Sequence, residues 1–204
     1  MVAAVVAAGM LAQAAVWWLI SARRVPFWPA TTATFAILGI AAVLVGAPGS
    51  TDVSSLLVGA GSGAALYGAT RVVVASLLEQ IPSFASSVSD VYGRSQEVPG
   101  TAVWVLTLAV AIPGEELFWR GLVLSQLQDV TTAAVGVGLA WFGYVAANAV
   151  LRNLSIFVAA VVGGAVWTVL GSVRDVGAAV ASHLVWTSLM LLWPPRAARG
   201  KVPS

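Results

Sequence analysis

The chain has 204 residues, 59% of them apolar and 9% charged, with a mean hydropathy of +0.93, far from the roughly 25% charged content of an average soluble domain. That composition predicts an integral membrane protein. A net charge of +2 spread over scattered basic residues forms no cationic patch and excludes nucleic acid as a partner, and the absence of cysteine excludes disulfides and thiol nucleophiles.

A stretch of roughly 20 apolar residues crosses a bilayer. In those units the chain reads as an all-α, polytopic bundle of about seven transmembrane helices, at 2–20, 30–47, 53–78, 101–127, 132–151, 154–172 and 176–193. The first run lacks a basic leader and its arginines, Arg23 and Arg24, follow it, so it reads as a retained span rather than a signal peptide. Trp17, Trp18, Trp28 and Trp193 fall at span ends, where aromatic belts anchor helices at the membrane surface.

In the third span, Gly59, Gly61, Gly63 and Gly68 have the wrong spacing for a dinucleotide loop and no strand before them. Gly59 and Gly63 instead form a small-xxx-small face for close helix packing. Arg71 is either a counter-ion for a buried carboxylate or a side chain that snorkels to the nearer surface. Glu79 to Gly100, with Pro82, five serines, Asp90, Arg94 and Glu97, is the longest polar stretch and predicts a loop with room for an interfacial helix.

Arg23, Arg24, Arg94, Arg152, Arg196, Arg199 and Lys201 fall on one side of this topology, against Arg174 on the other. The excess predicts an N-terminus outside and a C-terminus in the cytoplasm. Short loops and the lack of a targeting segment point to a multi-pass protein of a prokaryotic cell membrane. There is no repeat and no second domain, so residues 1–204 read as one integral membrane domain; the sequence sets no oligomeric state.

The fourth span contains Glu115-Glu116-Leu117-Phe118-Trp119-Arg120, three ionisable side chains in apolar sequence. Charge at membrane depth is costly and marks a functional site by default. Glu116 and Arg120, four residues apart, lie about 40° apart around a helix at about 100° per residue, which suits an ion pair with the acid on the N-terminal side. Glu115, about 140° from Arg120 on the same count, stays outside that bond. The spacing thus separates a structural clamp from a desolvated carboxylate able to act as a general base on water. The bland alternative, a packing network without chemistry, stays open.

Pro113-Gly114 precedes the glutamates. In one reading a new helix starts at Pro113 after a break that admits water. In the other the span is continuous, Glu115 lies near mid-bilayer, and Asn148, only a turn from Arg152 at the boundary, differs from it in depth by roughly 10 Å at 1.5 Å per residue. The only histidine, His183, lies mid-way along the last span. It is either a hydrogen-bonded packing residue or part of a site. Thr187, one turn on and on the same face, could join it in donating hydrogen bonds to a developing oxyanion.

Ala111-Ile112-Pro113-Gly114-Glu115-Glu116-Leu117-Phe118-Trp119-Arg120-Gly121 resembles the first motif, EExxxR, of the CPBP intramembrane proteases. That family includes CAAX prenyl endopeptidases and bacterial bacteriocin-processing and self-immunity proteins. Two motifs follow it there on later spans, FxxxH and then HxxxN or HxxxD. Tyr144-Val145-Ala146-Ala147-Asn148 stands in the place of FxxxH, with Tyr for Phe and Asn for His, and His183 to Thr187 stands for the third motif with Thr in the last position. The resemblance covers about 99–193.

It implies endopeptidase cleavage of a membrane-associated peptide or protein at the bilayer. Glu115 would activate water, Asn148 would occupy the place of the assisting histidine, His183 with Thr187 would stabilise the oxyanion, and Glu116 with Arg120 would hold the frame. An amide at 148 can position water but cannot take its proton. The resemblance also raises zinc. A catalytic zinc wants three protein ligands; Glu115, Glu116 and His183 are the available set, no HExxH is present, and a single histidine favours a site without metal.

Three functions follow from these residues: an intramembrane endopeptidase working through a glutamate-activated water, a catalytically weakened homologue acting as a membrane scaffold or immunity-like protein, and a small proton-coupled transporter using the same buried charges. The lack of internal repeats and the short chain weigh against the transporter.

Overall fold

The computed structural model describes residues 1–47 and 51–198; Arg199 and Lys201 of the basic tail lie outside the described residues. The helices, in chain order, are α1 (Val2–Ser21), α2 (Phe27–Leu44), α3 (Val53–Gln80), α4 (Pro82–Gly93), α5 (Gly100–Val130), α6 (Ala133–Ala149), α7 (Leu154–Val173) and α8 (Val176–Leu192). Strands are absent among the described residues. Each predicted span coincides with one helix, and the polar stretch holds α4. Among the described residues five helices are long and apolar enough to cross a membrane; α6 and α8, at 17 residues each, are shorter apolar helices of about 25 Å. The protein is an all-α membrane helix bundle.

Local chemistry sets the helix starts. Asp52, Thr132, Asn153 and Asp175 each accept a hydrogen bond from the backbone N–H three residues on, capping α3, α6, α7 and α8. α2 follows Pro26 and has no such cap of its own. The Glu97 carboxylate supplies it from afar, accepting from Phe27 N–H at 2.5 Å and Trp28 N–H at 3.4 Å.

α5 is the centre of the bundle: 44% of its apolar window is buried, against 17% to 33% for the other four long helices. It runs unbroken through Pro113, so the reading with a break in this span is corrected. Two widened π turns, Val105–Ala111 and Leu117–Val123, flank the segment Ile112–Glu116. A widened turn lets a helix pass a proline, which has no N–H to give and whose ring crowds the carbonyl four residues back.

Close backbone contacts fix the neighbours. A Cβ on Gly59 would stand 2.3 Å from the Ala178 carbonyl oxygen and one on Gly63 2.3 Å from that of Ser182, so the predicted glycine face of α3 lies directly on α8, one residue from His183. Gly114 meets α2 in the same way, its absent Cβ falling 2.1 Å from the Phe35 carbonyl oxygen.

α4 lies across one end of the bundle, with Phe84 and Val88 buried beside Val74 of α3 and Ala198. Asp90 pairs with both Arg23 and Arg94, and Asn153 Nδ2 donates to the Ser87 carbonyl at 3.1 Å. The α1–α2 and α6–α7 turns therefore gather at this end. Tyr92 donates to the Met190 carbonyl at 3.0 Å, and burial raises its phenol above the ordinary range. Arg71 Nη1 donates to the Trp193 carbonyl at 2.9 Å: of the two readings of Arg71, snorkelling to the end of α8 is the one realised. Trp18 and Trp193 are exposed, as belt residues should be, but Trp17 is buried, which corrects its reading as a surface anchor.

Gly63→Ala should force α3 and α8 apart at a cost of about 1–3 kcal/mol, lowering the thermal midpoint of the detergent-solubilised protein. Gly61→Ala, where a Cβ meets nothing within 4 Å, should leave that midpoint in place.

Candidate active site

Glu116 is fully buried and is the junction of the site. Its Oε1 accepts from Arg120 Nη1 at 3.3 Å and from His183 Nδ1 at 2.7 Å. The first bond is the predicted i,i+4 clamp; the second brings α8 onto α5. Arg120 also reaches α7, its Nη2 donating to the Gly164 carbonyl at 3.2 Å and to Thr168 Oγ1 at 3.4 Å. Trp167 stacks on the His183 ring at 3.6 Å and 15°, and a Cβ on Gly164 would strike the Tyr144 ring at 2.6 Å. With Nδ1–H given to Glu116, Nε2 is the ring nitrogen left for other work.

Glu115, on the same turn, faces elsewhere. It makes no bond to Arg120, and its Oε1 accepts from the Tyr144 hydroxyl at 2.7 Å. Tyr144 comes from α6, and its ring lies 4.2 Å beneath the Arg120 guanidinium carbon. The mismatch in depth expected between Glu115 and Asn148 thus has a simple form: Tyr144, one turn before Asn148, is the residue level with Glu115.

Glu115, Tyr144, Asn148, His183 and Thr187 all line one cavity of about 310 Å³. Its remaining wall is mainly apolar and extends to Phe84, Val88 and Tyr92 of α4. Of the predicted residues, Glu116 and Arg120 stand behind this wall. The Thr187 hydroxyl is buried without a hydrogen-bond partner among the described residues, as are those of Thr31 and Thr107 and the Trp28 indole N–H, all on lining residues. A cavity of this kind offers polar groups to a bound chain at a few points and apolar surface elsewhere.

Residues 97–189 match the family model of type II CAAX prenyl endopeptidase, Rce1-like. This segment, a little under half of the chain, is thus similar to a family of membrane endopeptidases. The match overlaps the stretch, about 99–193, that resembles the CPBP proteases. No curated protein and no solved structure matches the chain.

Three contributors to the site are not marked by the sequence. Tyr144 reads there only as a replacement for Phe. Trp17 Nε1 donates to Asn148 Oδ1 at 3.2 Å, and Trp119 Nε1 donates to Gln13 Oε1 at 2.9 Å. Gln13 and Trp17 belong to α1, outside the matched segment. The signal for Gln13 was present, a lone amide in an apolar span; Trp17 was masked by its position beside Trp18 at a span end.

The conditional zinc set does not fit this arrangement. Glu116 Oε1 is divided between Arg120 and His183, Glu115 Oε1 is taken by Tyr144, and among the described residues no three His, Cys, Asp or Glu side chains converge as ligands.

Arg120→Met would leave Glu116 buried with half its partners, a change that costs about 3–5 kcal/mol. The variant should unfold well below the wild-type thermal midpoint. Arg120→Lys should recover little of the loss, because one ammonium cannot span Glu116, Gly164 and Thr168 as the guanidinium does.

Proposed function

We propose that the chain is an intramembrane endopeptidase that hydrolyses a peptide bond of a membrane-associated substrate through water activated by Glu115. The observation that carries this reading is the meeting of Glu115, from α5, and His183, from α8, on the wall of one cavity. Glu115 takes a proton from water as the water oxygen attacks the scissile carbonyl. The carbonyl oxygen becomes an oxyanion, and Thr187 Oγ1 and His183 Nε2, when the ring carries its second proton, donate to it. Glu115 then returns the proton to the leaving nitrogen as the C–N bond breaks. Glu116 and Arg120 take no part in the bond changes; they hold α5, α7 and α8 in register.

The pairing of the Glu116 carboxylate with the Arg120 guanidinium supports this division, because a charge inside a bilayer needs a partner. The gathering of Arg23, Arg94, Arg152 and Arg196 at the end that carries α4 supports a cell-membrane orientation with the N-terminus outside. The cavity reaches α4, so a peptide would arrive from the cytoplasmic side.

One observation favours a second reading, a catalytically weakened scaffold or immunity-like protein. The Asn148 amide is engaged on both sides, its oxygen by Trp17 and its Nδ2 by the Tyr144 carbonyl at 2.9 Å, and it cannot accept a proton from water.

A peptidase assay on the purified, reconstituted chain separates the two. Glu115→Gln should lower kcat by about 10²–10⁴-fold, and His183→Ala should lower it by about 10²–10³-fold. Activity that survives Glu115→Gln rejects the proposed base. Activity that emerges only in Asn148→His favours the scaffold.

A further inference from the structure

We infer that Tyr144 is the positioning residue for Glu115, a role that rests on the endopeptidase reading above. Among the described residues Glu115 makes one side-chain hydrogen bond, the 2.7 Å bond that its Oε1 accepts from the Tyr144 hydroxyl. A carboxylate that must take a proton from water needs one oxygen held and the other left to the water. The phenol does the holding, and Glu115 Oε2 is left for the cavity.

The phenol is itself held. Its ring lies under the Arg120 guanidinium at 4.2 Å, meets the Trp119 ring edge-on at 5.5 Å, and presses on Gly164, where any side chain would collide with it. Tyr144 is 5% exposed, so little solvent competes for its hydroxyl.

Asn148, one turn further along α6, cannot take over this task as it stands. Its oxygen accepts from Trp17 and its Nδ2 donates back to the Tyr144 carbonyl. The oxygen therefore serves the contact between α1 and α6 and Nδ2 is spent within α6, and the group that touches the catalytic carboxylate is the phenol.

Tyr144→Phe removes the hydroxyl and keeps the ring that packs on Gly164 and Arg120. In the reconstituted full chain it should lower kcat about 10- to 100-fold, the value of one hydrogen bond to a charged group, with KM within about twofold and a thermal midpoint lowered by no more than the loss of that one bond. Packing alone would predict no change in kcat. The infrared carboxyl bands give a readout independent of turnover: the band that disappears in Glu115→Gln should shift in Tyr144→Phe. An unshifted band, or an unchanged kcat in Tyr144→Phe, overturns the inference. If activity survives Glu115→Gln while the band still shifts, the proposed base fails and the Tyr144 contact stands.

Discussion

The arrangement depends on one fully buried carboxylate, Glu116, that serves two helices at once. Helices in lipid gain little from apolar contact with one another, because the alternative neighbour is equally apolar; small-residue packing and hydrogen bonds decide which faces meet. Glu116 binds Arg120 within α5 and His183 across from it, and Arg120 carries the link on to α7. Gly59 and Gly63 then let α3 close on the backbone of α8 beside His183. Polar bonds on one face and close backbone contact on the other hold α8, and with it His183, between α5 and α3.

This junction also explains how adjacent glutamates come to have different surroundings. One residue of rotation carries Glu115 away from the guanidinium and toward α6, where a phenol meets it. The π turns on either side keep the helix continuous past Pro113, and Gly114 lets α2 lie against the backbone next to Glu115. An unbroken helix so packed aims its side chains more firmly than a helix starting afresh at Pro113, whose first N–H groups would need partners of their own. Continuity and site geometry are therefore the same fact.

What the sequence made legible was local. The spans follow from runs of apolar residues, the Glu116–Arg120 clamp from a spacing of four, and the Gly59/Gly63 face from the same period. Each depends on one helix. What was not legible depends on which helix lies opposite. Nothing in α6 alone says that Tyr144 rather than Asn148 is level with Glu115, since that follows from the register of α6 against α5. Nothing in α1 says that Trp17, unlike Trp18 beside it, turns inward. Arg71 had two readings because choosing between them required knowing that the end of α8, with the Trp193 carbonyl, lies within its reach.

Position 148 shows why that opposite neighbour matters. An indole N–H is a donor only, so the buried Trp17 requires an acceptor from whatever faces it. The amide of Asn148 supplies the oxygen to Trp17 and still has an N–H for the Tyr144 carbonyl one turn back. The residue that departs from the family pattern is thus matched to a partner in α1, beyond the segment that carries the family resemblance. Gln13 repeats the arrangement four residues earlier, its oxygen accepting from Trp119 beside Arg120. Two polar side chains on one face of α1 therefore bond to α5 and α6 on either side of the Glu115–Tyr144 contact. The N-terminal helix belongs to the construction of the site as well as to the wall of the bundle.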